Sequence, residues 1–152
     1  MAKYFDAGIS DVSFLADEDL TAYQFRLMMA SSTVGYVQLL DIVAPGDTPD
    51  SVCGRMPVGV LTNSPSLGQE ATVKVIGFTK ARACAAGCKL THGALLSASN
   101  DGNFVSASDD AEDPIFGIWF GPDVANAGSA VGNVLLNMSF IASGLQLLAT
   151  TN

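Results

Sequence analysis

Three cysteines, one histidine and a run of carboxylates are the residues of this chain whose types and spacing could do chemistry. Cys84, Cys88 and His92 follow one another at four-residue intervals, which on a helix would turn all three to one face as metal ligands. A structural zinc site needs four ligands, usually with tight Cys-x-x-Cys pairs, and only Cys53 is left to complete the set. Free thiols and a surface histidine are the better reading. Asp109, Asp110, Glu112 and Asp113 offer oxygen ligands, but their spacing fits no EF-hand loop and lacks its central glycine. They read as a solvated acidic loop, suited to salt-sensitive pairing with a partner's lysine or arginine. A hydrolase with a histidine base would rest on His92 alone, without a Gly-x-Ser-x-Gly elbow, and no phosphate-binding glycine loop occurs. The sequence therefore predicts no catalytic, metal or cofactor site and no enzyme. Trp119 with Phe116 and Phe120 could stack on a sugar, yet they lie in a continuous apolar run over 115–120, which favours core or subunit interface.

The 152 residues suit one domain with a sizeable core. Hydrophobic residues make up 49% and charged residues only 14%, well below the usual share of about 25%. Much of the surface must then be uncharged, as expected of surface covered by partners. The formal net charge is -8 and the seven basic residues are spread singly along the sequence, which argues against direct nucleic-acid binding. An unpaired cysteine in any monomeric disulfide scheme fits synthesis in a reducing compartment, and the first residues lack the apolar core of a secretory signal. The expectation is a protein made in a cytoplasm and not exported. Residues 131–148 approach the length of a short membrane span, but Asn133, Asn137, Ser139, Ser143, Gly144 and Gln146 interrupt them, so buried or interface strands and no membrane partner are expected.

The elements that must position these residues read as β-hairpins. The clearest lies in 59–80: an apolar strand over 58–61, a polar turn over 63–68, then Ala71, Val73 and Val75 alternating with Thr72, Lys74 and Ile76. Upstream, Tyr23, Phe25, Leu27 and Met29 alternate as a strand over 23–29, followed at hairpin spacing by a second over 35–42. Residues 81–90 read as extended chain with a turn at Ala86-Gly87, a helical turn remaining open. Segments 95–99 and 104–107 flank Asn100-Asp101-Gly102-Asn103, whose Asp-Gly pair suits a tight turn. The run 115–120, a strand over 131–140 and one over 141–148 close the chain. Many short strands at near-regular spacing predict a mainly β fold, a small barrel or sandwich. The first residues carry scattered apolar side chains without a sustained period and read either as an extended arm that orders against a partner or as an edge strand on their own domain.

With these segments in order, the chain resembles the capsid decoration, or cement, proteins of tailed bacteriophages. The resemblance rests on Leu20-Thr-Ala-Tyr-Gln-Phe-Arg26 and on Gly59-Val-Leu-Thr-Asn-Ser-Pro-Ser-Leu-Gly-Gln-Glu-Ala-Thr-Val-Lys-Val-Ile-Gly77. It continues through Thr79-Lys80, Ala86-Gly87, Gly93, Asp101-Gly102, Phe116-Gly117-Ile118 and Val134-Leu-Leu136. Ala94 stands where the family often carries an aspartate, and both ends extend beyond the usual core. The resemblance implies an N-terminal arm over 1–18, a β core over 19–136 and a C-terminal extension over 137–152, packed on the core or a partner. It implies a non-enzymatic virion protein on the outer surface of the expanded head, commonly a homotrimer, that clamps neighbouring major capsid proteins. In that picture Tyr4, Phe5, Ile9, Phe14 and Leu15 anchor the arm on capsid protein, and Phe116, Trp119, Phe120, Leu135 and Phe140 form the core and oligomer interface. The alternative is a virion fibre or spike domain that reads a host glycan with Trp119 or the acidic loop.

Overall fold

The computed structural model describes residues 10–41, 57–83, 89–107, 115–125 and 130–138. Among them the chain forms twelve strands and no α-helix. β1 (Asp11–Ala16), β2 (Leu27–Ala30), β3 (Tyr36–Leu39), β4 (Pro57–Leu61) and β5 (Glu70–Lys74) close into a barrel in the order β1-β3-β2-β4-β5. β6 (Ile76–Arg82), β8 (Leu95–Ala98), β9 (Phe104–Ser106), β10 (Gly117–Trp119) and β12 (Val131–Asn137) form a second sheet in the order β6-β12-β10-β8-β9. β7 (Lys89–Leu90) and β11 (Val124–Ala125) make a short separate ladder. The fold is mainly β, a five-stranded barrel with additional antiparallel sheet.

Alternation along the strands builds two cores. Ala16, Met28, Val37, Leu61, Ala71 and Val73 point into the barrel, while Leu27, Met29 and Val60 point out of it onto Leu96, Phe104, Trp119 and Val134 of the second sheet. Leu27-Met28-Met29 is apolar without alternation because β2 is covered on both faces. Burial on both sides removes the polar positions that would otherwise mark a strand's solvent face.

The central hairpin forms as its alternation predicts: β4 and β5 pair antiparallel, with Val60 opposite Lys74 and Leu61 opposite Val73. One side chain, Asn63, bridges its turn with two hydrogen bonds. The Asn63 amide donates to the Glu70 carbonyl at 2.8 Å, and its Oδ1 accepts from the Thr72 backbone N–H at 2.9 Å. Gly68 supplies the positive φ (76°) the turn needs. Asn63→Ala removes both bonds and is expected to cost about 1–2 kcal/mol, read as a lowered urea midpoint at unchanged m-value.

Two local expectations are corrected. The strand predicted over 23–29 begins only at Leu27; residues 21–26 turn instead, with Phe25 at φ 68°. The turn is stabilised by N–H bonds from Tyr23 to the Leu20 carbonyl and from Phe25 to the Leu61 carbonyl, which local alternation does not report. The strand predicted through Ile76 breaks at Val75, whose N–H donates to the Ser10 carbonyl at 2.8 Å. There the chain leaves the barrel, and Ile76 opens β6 in the second sheet.

Candidate functional site

The residues singled out for core and interface divide cleanly. Phe116 and Trp119 face inward and are buried, Trp119 completely; Phe120 and Leu135 face outward. Phe140 lies outside the described residues, as do the acidic loop Asp109, Asp110, Glu112 and Asp113, the cysteines, and Tyr4, Phe5 and Ile9 of the arm. Only Gly117–Trp119 of the apolar run 115–120 is strand, and the run is not buried throughout: Ile115 is 45% and Phe120 38% exposed.

Trp119 is locked by its surroundings. Its Nε1–H donates to the Pro122 carbonyl at 2.9 Å, and its ring lies against Gly121 and Gly132, where a Cβ would fall 2.4 and 2.5 Å from indole carbons. A fully buried indole cannot stack on a sugar, so the glycan platform proposed for Trp119 is ruled out.

The outer face of the second sheet is where apolar side chains meet solvent. Register places Phe78 of β6 opposite Leu135 of β12, Leu135 opposite Ile118 of β10, and Ile118 opposite Leu95 of β8. These four side chains form one row across four strands, about 14 Å wide at the usual strand spacing. Phe78 is 62% and Leu95 47% exposed, and Ile76 extends the row along β6. At one end Phe120 meets the Phe78 ring edge-on at 5.3 Å and the His92 ring at 5.4 Å. The His92 backbone N–H donates to Asp123 Oδ1 at 2.9 Å, which fixes the loop that carries it. β6, β8, β10 and β12 together contain no Asp or Glu. The arrangement can bury apolar surface, and the carboxylate at its end, Asp123, is bound to the His92 backbone N–H. Among the described residues no group of three potential metal-ligating side chains converges.

The arm residues that are described belong to the barrel. β1 pairs antiparallel with β5 and parallel with β3, so Asp11–Ala16 closes the barrel. Phe14 packs against the barrel core, and Leu15 is 39% exposed. The signal for this strand was the alternation of Val12, Phe14 and Ala16, obscured by Leu15 on the outer face.

No protein-family model matches the chain, and no curated protein matches it. Among solved structures it is similar to the head fibre gp8.5 N base of bacteriophage phi29, at 15% identity and a TM-score of 0.53, covering 85% of this chain and 94% of that one. It is also similar to a chain in the capsid of Myoviridae phage XM1, at 16% identity and a TM-score of 0.53, covering 84% and 82%. These likenesses define the chain by its fold, one that both phage head proteins share.

Proposed function

We propose that this chain is a non-enzymatic structural protein of a tailed-phage head, bound to the outer surface of the expanded capsid, where it clamps neighbouring major capsid proteins. The observation that carries the reading is the barrel-and-sheet fold, shared over more than four fifths of the chain with a head-fibre base and a capsid chain. The low charge content agrees with a role in assembly. Tyr4, Phe5, Ile9 and Leu15 remain the arm's capsid anchors in this proposal, since Phe14 is engaged in the barrel while Leu15 is 39% exposed. The acidic residues Asp109, Asp110, Glu112 and Asp113 supply a salt-sensitive contact.

In the same reading the row Phe78, Leu135, Ile118 and Leu95 is the contact between copies of this chain, a trimer on the head. Charge argues for a second copy: with a net charge of -8, copies repel unless they meet through surface free of carboxylates, and these four strands carry none. The likeness to a fibre base favours one variation, in which the chain is the head-bound base of a fibre rather than a reader of glycans.

Co-sedimentation of the purified chain with expanded heads that lack it tests the head role; wild type is expected to co-sediment and to bind nothing on a glycan array. Phe78→Ser with Leu95→Ser truncates exposed side chains, so folding should persist while self-association weakens by about 2–4 kcal/mol per contact, roughly 30- to 1,000-fold. Sedimentation equilibrium reads that change. A wild-type chain that stays monomeric at all concentrations would sink the copy–copy contact, and one that never binds heads would sink the head role.

A further inference from the structure

The basic residues are scattered along the sequence, but the fold brings two of the three arginines together. The backbone N–H of Arg82, at the end of β6, donates to the Phe25 carbonyl at 2.8 Å. Arg82 and Arg26 therefore leave hydrogen-bonded neighbouring segments across the seam between barrel and second sheet. Arg26 is held in place: an Nη donates to the Asp101 carbonyl at 2.9 Å, and the guanidinium carbon sits 5.2 Å from the Tyr23 ring centre. Each arginine buries an Nε that has no hydrogen-bond partner. Among the described residues neither guanidinium is ion-paired, whereas Lys74 has Asp11 at 3.3 Å. Burial first, and the Arg82 charge second, push the Arg26 guanidinium below its ordinary value, while Asp101 and Tyr23 act the other way. Two guanidiniums borne by neighbouring segments, each felt by the other and neither with a carboxylate beside it among the described residues, leave positive charge uncompensated, and an oxyanion at their outer Nη groups would supply the countercharge.

We propose that Arg26 and Arg82 form a binding site for the carboxylates of an acidic segment on a partner protein. The planar guanidinium fork matches a carboxylate bidentately. Lys80, two residues before Arg82 and so on the same side of β6, extends the strip with an exposed ammonium. A short acidic segment suits the site better than a nucleic acid, because a chain of net charge -8 repels a polyanion along its whole length and a few carboxylates only locally. This site rests on the seam geometry and stands apart from the phage-head reading.

The test is a titration of the full chain, at low ionic strength, with a hexaglutamate peptide and separately with inorganic phosphate, following the arginine Nε–Hε resonances by NMR. The peptide is expected to shift the Arg26 and Arg82 signals saturably and to bind more weakly as salt rises. Arg82→Lys keeps the charge and loses the fork, and should weaken peptide binding about tenfold or more, as expected for losing a charge-assisted hydrogen bond. Arg26→Gln with Arg82→Gln should abolish it. No saturable shift, or full affinity in Arg82→Lys, overturns the proposal. Phosphate binding as tight as the peptide overturns the assignment to a protein segment.

Discussion

Trp119→Ala is expected to destabilise the chain by about 3–5 kcal/mol, the range for truncating a large buried aromatic. In a 152-residue chain that corresponds to a fall in Tm of roughly 6–20 °C. Collapse into the void is limited, because two of the surfaces against the indole are Gly121 and Gly132, which have no side chains to move in. The loss also leaves the Pro122 carbonyl without its Nε1–H donor. A coupling measurement makes the argument specific. Gly132→Ala places a Cβ 2.5 Å from the indole and should destabilise wild type, but it should cost much less, or help, in the Trp119→Ala background, where the cavity can take the methyl. Additive effects in the four-variant denaturation cycle would show that the glycine and the indole are not coupled.

The parts of this fold legible in the sequence are those whose pairing partner lies one turn away. Segments 58–61 and 71–74 carry their register in their own alternation, and Asn63 and Gly68 mark the turn between them. Asp101, at φ 58°, and Gly102, at φ 65°, do the same for β8 and β9. The closure of the barrel was not legible, because Asp11 pairs with Lys74 and Leu15 with Tyr36 through contacts that no local turn announces. Double burial hides other features: Leu27-Met28-Met29 gives no period, and the alternation of Tyr23 and Phe25 mimics its continuation. The candidate face was legible as residue types and not as a place. By residue type Phe120 and Leu135 group with Phe116 and Trp119, and only the register of β6, β12, β10 and β8 separates the buried side chains from those that look outward. Phe78 and Leu95, the most exposed of the row, carry no signal in the sequence, because single apolar residues in strands of mixed character stand out only once they are aligned across the sheet. Arg26 and Arg82, 56 positions apart in sequence, come to lie on neighbouring segments for the same reason.

Gly59→Ala is expected to open the barrel at its central hairpin. Gly59 lies on β4 where β5 approaches most closely: a Cβ there would fall 2.3 Å from the Lys74 carbonyl oxygen and 2.6 Å from Val73 Cγ1. The first obstacle is backbone, so no rotamer change relieves it, and β4 and β5 must move apart. Replacing glycine by alanine restricts the unfolded chain and alone would stabilise by about 0.4–1 kcal/mol. Overpacking against fixed backbone costs about 3 kcal/mol, so the net change is a loss of about 2 kcal/mol or more. Its distribution identifies the cause. Moving β4 weakens its ladder to β5 and shifts Val60 and Leu61, which face the two different cores, so amide exchange should accelerate at Leu61 and Thr62 before it does in β12. Val73→Ala removes the Cγ1 obstacle but leaves the carbonyl in place, and should therefore not rescue Gly59→Ala. Rescue by Val73→Ala would instead make the side-chain contact the dominant constraint at this position and the closeness of the two backbones secondary.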